Sequence, residues 1–199
     1  MGAKDLSIYF KPVTSDHLDE MGFSEESVGA LIDAYSTEFP EWKNADIALI
    51  GVKEDRLSRN NKGTADAPGA VRPFLYKLFP PKTKINICDL GDILPGESIE
   101  DTQYAVKSVV KELLRNNVVP VIIGGSQDLT FANFSAYESL EQTINVLSVD
   151  RIFDLSREQD EFHSEAYLNR IILHDPNFLF NYSNIGYQTY FLSENELGL

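Results

Sequence analysis

The sequence has few of the residues that mark disulfide-bonded, metal-rich or membrane proteins. Its one cysteine, Cys88, excludes an internal disulfide, and the apolar run around it predicts a buried structural thiol. Of three histidines, His17 and His174 have no companions at metal-ligand spacing and are interpreted as surface or capping residues. No apolar run approaches the roughly 18 residues of a membrane helix, and the N-terminus lacks the apolar stretch of a signal peptide. These absences predict a cytoplasmic protein with no membrane contact.

Basic residues are also scarce. There are 17 lysines and arginines against 31 acidic residues, which gives a formal net charge of −14. Such a surface repels nucleic acid and anionic membranes, so neither is expected as a partner. With 199 residues, 43% of them hydrophobic, the chain can form one domain with a sizeable core.

The chain is organised around two short apolar runs, Val118–Ile123 and Ile144–Val149, each of which ends in small and polar residues. Continuous runs of this length are typical of strands that are buried on both faces of a parallel sheet. Further strands are predicted at Asp46–Val52, Ile85–Leu90 and Tyr182–Tyr190, with helices at Ser24–Tyr35, Ile99–Asn117 and Tyr167–Leu173. This alternation predicts an α/β fold, a three-layer α/β/α sandwich with a mainly parallel sheet.

Polar motifs follow both central strands, at the sheet edge where parallel α/β proteins bind ligands. The first motif reads Gly124-Gly125-Ser126-Gln127, and the second reads Asp150-Arg151-Ile152-Phe153-Asp154. Together with Gly63 and with Pro68 to Arg72, they resemble the ureohydrolases, the family of arginase, agmatinase and formimidoylglutamase. That family carries Gly-Gly-Asp-His and Asp-Ala-His-x-Asp at these places, and the resemblance implies an arginase-like fold.

The resemblance also implies a site for two manganese ions, but two ligand positions differ from the family pattern. Gln127 and Ile152 replace histidines, so these metal positions are degenerate, while Asp150 and Asp154 remain as remnant metal ligands. His163 lies in the loop where the family places substrate-contacting residues; the alternative is a surface histidine. No catalytic residue is assigned. We also expect Arg151 to form an ion pair with a nearby aspartate and so to replace part of the charge of the metal.

The resemblance covers about Ile47 to the end, and residues 1–44 are expected to be an N-terminal extension of a single domain spanning residues 1–199. In the family, a later strand ends in Asp-x-Asp and supplies the remaining metal ligands, but no such motif follows Ile185. The chain is therefore expected to be the N-terminal part of a longer one. Its unpaired sheet edge predicts self-association, as a homo-oligomer.

Three functions stay open at this point. In the first interpretation, the chain is a catalytically degenerate relative that serves as a binding or structural subunit, with no cofactor of its own. Alternatively, it is an active hydrolase of amidino or guanidino compounds, such as formimidoylglutamate, with two Mn²⁺ ions and the missing ligands supplied by the absent half. The third interpretation is an unrelated doubly wound protein that binds an anion at Gly124-Gly125. Loss of both histidines favours the degenerate relative.

Overall fold

The computed structural model describes residues 5–13, 22–155 and 162–198, so His17 lies outside the described residues. Short strands and helices precede a regular alternation of longer ones. The strands are β1 (Phe10–Lys11), β2 (Asp33–Ala34), β3 (Ile47–Val52), β4 (Ile87–Ile93), β5 (Val119–Ile123), β6 (Ile144–Val149) and β7 (Leu179–Ile185). The helices are α1 (Val28–Leu31), α2 (Ala67–Leu75), α3 (Ile99–Arg115), α4 (Leu129–Glu138), α5 (Tyr167–Ile172) and α6 (Glu194–Leu197).

The main sheet has three parallel strands at its centre. β3 pairs with β4 on one side and with β5 on the other, with Ile47 opposite both Ile87 and Val119. The short strands β1 and β2 join the far edge of β4, antiparallel and parallel respectively. β3 and β4 are buried almost throughout, as expected for strands with covered faces. The predicted α/β fold with a mainly parallel sheet is thereby confirmed.

Helix α3 supplies much of the core of this sheet. It begins with a capping box: the Ser98 hydroxyl accepts from the Asp101 N–H, and the Asp101 carboxylate accepts from the Ser98 N–H. Val106, Val109 and Leu113 lie on one stripe of the helix and are fully buried in the cluster that contains β3 and β4. Cys88 lies in this cluster, where burial raises the pKa of its thiol to about 12. It is the buried structural thiol that the sequence predicts.

Strands β6 and β7 form a separate parallel sheet. Helix α4 connects β5 to β6, and its Phe131 and Phe134 pack against Tyr167, Leu168 and Ile171 of α5 in a second buried cluster. Within the described residues, no hydrogen-bond ladder joins β5 to β6, and each of the two strands pairs along one edge only. The two central strands of the sequence pattern therefore belong to different sheets.

A buried ion cluster anchors α2 to β4. Arg72 donates from Nε to Asp89 Oδ2 (2.7 Å) and from a terminal nitrogen to Asp92 Oδ1 (2.5 Å), and the Tyr76 hydroxyl donates to Asp89 (2.9 Å). Gly51 lies against this cluster, because a Cβ at this position would overlap the Asp92 carboxylate and approach the Arg72 guanidinium to 2.8 Å. Asp92 therefore has a structural ion-pair role.

Two sequence predictions differ clearly from the structure in extent, and β4 (Ile87–Ile93) also begins and ends later than the predicted strand Ile85–Leu90. The predicted helix Ser24–Tyr35 is wrong beyond α1, because the chain then turns to add β2 beside β4, and the Tyr35 N–H donates to the Asp89 carbonyl. The predicted strand at Tyr182–Tyr190 begins earlier and ends at Ile185, before Gly186 with φ +89°. In both places, pairing with a distant strand decides the conformation.

Candidate functional site

A pocket of about 780 Å³ lies where the chain leaves β5 and β6. We call it the β5–β6 pocket. Its walls come from β5 and the loop after it, the first turns of α4, the loop after β3, the loop after β6, and the residues that precede α5. The lining is mostly polar and includes Ser58, Asn60, Asn61, Thr64, Gly124, Gly125, Ser126, Gln127, Thr130, Asn133, Asp150, Arg151, Ile152, Asp154, Ser164 and Glu165. Both motifs that the sequence singles out therefore meet at one site.

The two glycines after β5 are required by backbone geometry. Gly124 and Gly125 have φ values of +79° and +78°, in the left-handed region that glycine adopts at least cost. A Cβ at Gly125 would overlap the Leu129 side chain, and its N–H donates to the Thr64 carbonyl. The next N–H, at Ser126, donates to the Glu54 carbonyl. Because these N–H groups are already bonded, they are not available to hold an anion.

Asp128 turns away from the pocket. Its side chain is fully buried and accepts a hydrogen bond from the Ser126 hydroxyl, and burial raises the pKa of its carboxyl group. Gln127 points the other way, into the pocket lining, and is exposed. Asp128 therefore holds the loop in shape rather than taking the place of Gln127 as a ligand.

Gln127 and Ile152 both donate to the carboxylate of Asp150. The Gln127 amide nitrogen lies 3.3 Å from Asp150 Oδ2 and 3.5 Å from the Tyr167 hydroxyl, and the Ile152 N–H lies 3.3 Å from Asp150 Oδ1. Both oxygens of this half-buried carboxylate therefore accept hydrogen bonds from neutral amide groups.

Asp154 is the buried carboxylate of the site. Its side chain is 4% exposed, and Oδ2 has no hydrogen-bond partner among the described residues. The backbone of Asp154 is left-handed, with φ +52°, so the residue leaves the regular path of β6. Burial, together with the negative charges of Asp150 and Glu165, raises the pKa of Asp154 to about 7.

The loop after β3 closes the pocket on one side through contacts to the segment before α5. The Asn60 amide donates to Glu165 (2.5 Å), the Arg59 N–H donates to the Ser164 hydroxyl (3.2 Å), and the Ser164 N–H donates to the Leu57 carbonyl. No sequence pattern predicts this wall. The loop is rich in Asn, Lys and Arg, but nothing local indicates a partner 105 residues away.

Comparison with known proteins decides the family. A model of the arginase family matches residues 45–197. The chain belongs to the arginase family. It is 29% identical over 138 residues to the formimidoylglutamase of Streptococcus gordonii, covering 64% of this chain and 42% of that protein. With the formimidoylglutamase of Halobacterium salinarum it shares 28% identity over 136 residues, covering 65% of this chain and 44% of that protein. The chain thus spans less than half the length of these curated relatives.

Solved arginase-family structures share the fold. The formimidoylglutamase of Bacillus subtilis superposes with a TM-score of 0.71 at 20% identity, covering 86% of this chain and 56% of that chain. A variant of Trypanosoma cruzi formiminoglutamase, which is described with Mn²⁺, gives a TM-score of 0.70 at 22% identity, covering 81% of this chain and 58% of that chain. The arginase-like fold is confirmed, and the interpretation as an unrelated anion-binding protein is wrong.

Arg151 does not take the role expected for it in this arginase-family site. Its exposed guanidinium lies over the ring of Phe191, 4.7 Å from the ring centre, and among the described residues it forms no ion pair with Asp128, Asp150 or Asp154. An aromatic ring from a distant segment holds the guanidinium there, although its positive charge still acts to lower the pKa of Asp154. The predicted ion pair of Arg151 with a nearby aspartate is wrong.

His163 lies beside the β5–β6 pocket rather than in its lining. Its side chain is 9% exposed, so it is not the surface histidine of the alternative interpretation. Its Nδ1 accepts from the Glu165 N–H (3.2 Å), and its Nε2 lies 3.4 Å from an Arg59 nitrogen. His174 pairs with Glu138 (2.9 Å), outside the pocket lining. A substrate contact by His163 stays a prediction.

The raised pKa of Asp154 predicts a pH dependence of stability. Between about pH 4 and 7 the folded protein keeps the proton that the unfolded chain releases, so the free energy of unfolding falls as pH rises through this window. Across this window the free energy of unfolding falls by up to about 4 kcal/mol. We expect Asp154→Asn to remove this loss, as measured by urea unfolding at pH 5 and pH 8. The exposed Asp66→Asn variant is the control, and an equal effect in both variants would contradict the assignment.

Proposed function

We propose that this chain is a non-hydrolytic arginase-family protein, which binds a small amidino or guanidino compound in the β5–β6 pocket without a two-manganese centre. The observation that carries this proposal is the hydrogen bond from the Gln127 amide to Asp150. The Gln127 amide stands where the family pattern has a histidine, and it gives the Asp150 carboxylate a hydrogen-bond partner without a metal ion.

The residues present do not fit two manganese ions. Such a pair needs several carboxylates and imidazoles within about 2.0–2.3 Å of each ion, the range for similar hard and borderline cations. Of the four family positions in this half, Asp150 and Asp154 keep a carboxylate, Gln127 offers an amide, and the Ile152 side chain offers nothing. In the ranges that the structure describes, no three His, Cys, Asp or Glu residues form a group that could hold a metal ion.

The lining favours a ligand that is cationic and rich in N–H donors. Three pocket residues have a buried oxygen without a hydrogen-bond partner in the described part of the chain: Thr64 Oγ1, Asn133 Oδ1 and Asp154 Oδ2. Buried oxygens of this kind normally have a partner. Asp150 and Glu165 add negative charge to the lining, and the one arginine of the described lining, Arg151, lies over Phe191. An amidinium or guanidinium group is planar, positively charged and able to donate to two carboxylate oxygens at once, so it matches this arrangement.

The proposal is tested by proton NMR of the purified chain with formimidoylglutamate, agmatine and arginine, each with and without Mn²⁺. We expect no loss of substrate signal, and we expect saturation transfer from the protein to at least one of the three compounds. Asp150→Asn should weaken that binding about tenfold or more, since a charge-assisted pair is lost, whereas the exposed Asp66→Asn should not. Manganese-dependent turnover would contradict the proposal and support the active hydrolase. Absence of any binding would contradict the proposed ligand class.

A further inference from the structure

Glu165 is a half-buried carboxylate in the wall of the β5–β6 pocket that precedes α5. Its Oε1 accepts a hydrogen bond from the Asn60 amide (2.5 Å), and its N–H donates to Nδ1 of His163 (3.2 Å). The N–H of the preceding residue, Ser164, donates to a carbonyl in the loop after β3. These contacts hold both the backbone and the carboxylate of Glu165 in place without a ligand, so little ordering is needed when a ligand binds.

The charge of Glu165 has no cationic partner in the described part of the chain. No ion pair among the described residues includes Glu165, Asp150 or Asp154. The described lining contains a single cationic side chain, that of Arg151, and its guanidinium lies over the ring of Phe191. The lining therefore carries an excess of negative charge that its own residues do not pair.

The carboxylates come from two separate segments of the chain. Asp150 and Asp154 belong to the loop after β6, whereas Glu165 belongs to the segment before α5. Asp154 is 4% exposed, and its Oδ2 has no hydrogen-bond partner among the described residues. Because buried polar atoms normally have a partner, this oxygen is available to a donor of the ligand. A ligand with a donor group at each end can contact both segments at once.

We propose that Glu165 is a specificity-determining residue of the β5–β6 pocket, which receives a second cationic group of the ligand. This role rests on the proposed function, in which an amidinium or guanidinium group contacts Asp150 and Asp154. The second group is a primary ammonium or another compact cation, since the Glu165 carboxylate already accepts one hydrogen bond from Asn60. The pocket thus selects linear compounds with two positive charges and no carboxylate group.

The same charges disfavour a ligand that carries a carboxylate. Such a group would lie among three carboxylates of the lining, and like charges brought together weaken binding. The formal net charge of −14 acts in the same direction at longer range. Formimidoylglutamate has two carboxylates and one amidinium group, and arginine has one carboxylate. Agmatine has a guanidinium and an ammonium group without a carboxylate, so it matches the lining best of the three.

Isothermal titration of the 199-residue chain with agmatine, butylguanidine, arginine and formimidoylglutamate tests this selection. Agmatine differs from butylguanidine by its ammonium group and from arginine by the missing carboxylate, so each comparison isolates one charge. We expect agmatine to bind at least about tenfold more tightly than butylguanidine or arginine, since each loses one favourable charge contact or gains one unfavourable contact. Formimidoylglutamate should bind at least about a hundredfold more weakly than agmatine.

Matched variants assign the selection to Glu165. Glu165→Gln removes the charge but keeps an oxygen that can accept from Asn60, and it should lower the ratio of agmatine affinity to butylguanidine affinity about tenfold. Asp150→Asn, at the guanidinium end, should weaken both ligands alike. Glu97→Gln, at an exposed position outside the pocket lining, should leave the ratio as in the wild type. A purely structural role of Glu165 would also weaken both ligands alike and leave the ratio unchanged.

Two sets of results contradict different claims. An unchanged ratio in Glu165→Gln, or binding of arginine or formimidoylglutamate as tight as that of agmatine, would overturn the role of Glu165 and leave the binding of guanidino compounds standing. Manganese-dependent turnover of any of the four compounds, or binding of none of them, would overturn the proposed function and the role of Glu165 with it.

Discussion

Replacing Arg72 with methionine should lower the free energy of unfolding by about 3–5 kcal/mol, because it leaves two buried carboxylates without their partner. The Arg72 side chain is 2% exposed and Asp89 is fully buried. Three guanidinium nitrogens donate to Asp89, to Asp92 and to the Gly91 carbonyl. Burial alone would lower the pKa of Arg72, but the two carboxylates more than reverse this, so its pKa is raised.

Urea unfolding followed by circular dichroism measures this change. Arg115→Met is the matched control, since the Arg115 side chain is 54% exposed and lies 3.8 Å from Glu112, where a surface ion pair contributes about 1 kcal/mol or less. Arg72→Lys keeps the charge but loses the paired contacts to Asp89, and we expect it to fall between wild type and Arg72→Met. Equal losses in Arg72→Met and Arg115→Met would show that the cluster does not anchor α2.

Restoring both histidines should create metal affinity that the wild-type chain lacks. In the structure, the Gln127 side chain contacts Asp150, and the Ile152 N–H contacts the same carboxylate, so imidazoles at 127 and 152 would join the two remaining aspartates. Loss of a residue that only supports a metal ligand typically costs about 10–100-fold in metal affinity, and loss of the ligand itself costs at least as much. The double variant Gln127→His with Ile152→His should therefore bind Mn²⁺ at least about a hundredfold more tightly than wild type.

Isothermal titration with Mn²⁺ measures this gain. The control is Gln127→Asn with Ile152→Leu, which changes the same positions without adding a metal ligand. Because Arg151 lies over Phe191 instead of pairing with the carboxylates, no substitution of Arg151 is needed for the gain. If the histidine variant gained no affinity, residues 127, 150, 152 and 154 would not form one site.

The sequence predicts the parts of this fold that depend on local pattern. The apolar runs of β3, β5 and β6 and the apolar stripe of α3 need only their own composition to be recognised. The prediction that β5 and β6 are buried on both faces is wrong in the described part of the chain, since their residues alternate between exposed and at least partly buried. The meeting of Gln127 and Asp150 at one pocket follows from the rule for carboxyl ends of parallel strands. None of the helices in the described ranges has the length and apolar content needed to span a bilayer.

What the sequence does not predict depends on distant partners. The contact of Arg151 with Phe191 joins residues 40 positions apart, and the pocket wall between Asn60 and Glu165 joins residues 105 apart. Asp154 has a left-handed backbone, so its side chain does not follow the alternation of strand residues. No neighbouring glycine in the sequence indicates this conformation. The division of the strands into two sheets is likewise specified by no pattern within any one strand.

The manganese content of the wild-type chain tests the central claim most directly. The purified 199-residue protein is dialysed against Mn²⁺, freed of unbound metal and measured by elemental analysis, with the histidine variant of residues 127 and 152 treated in parallel. Because Gln127 and Ile152 replace two of the four family ligands in this half, we predict a manganese content close to zero in the wild type and a measurable content in the variant. A wild-type content near two ions per chain would contradict the account.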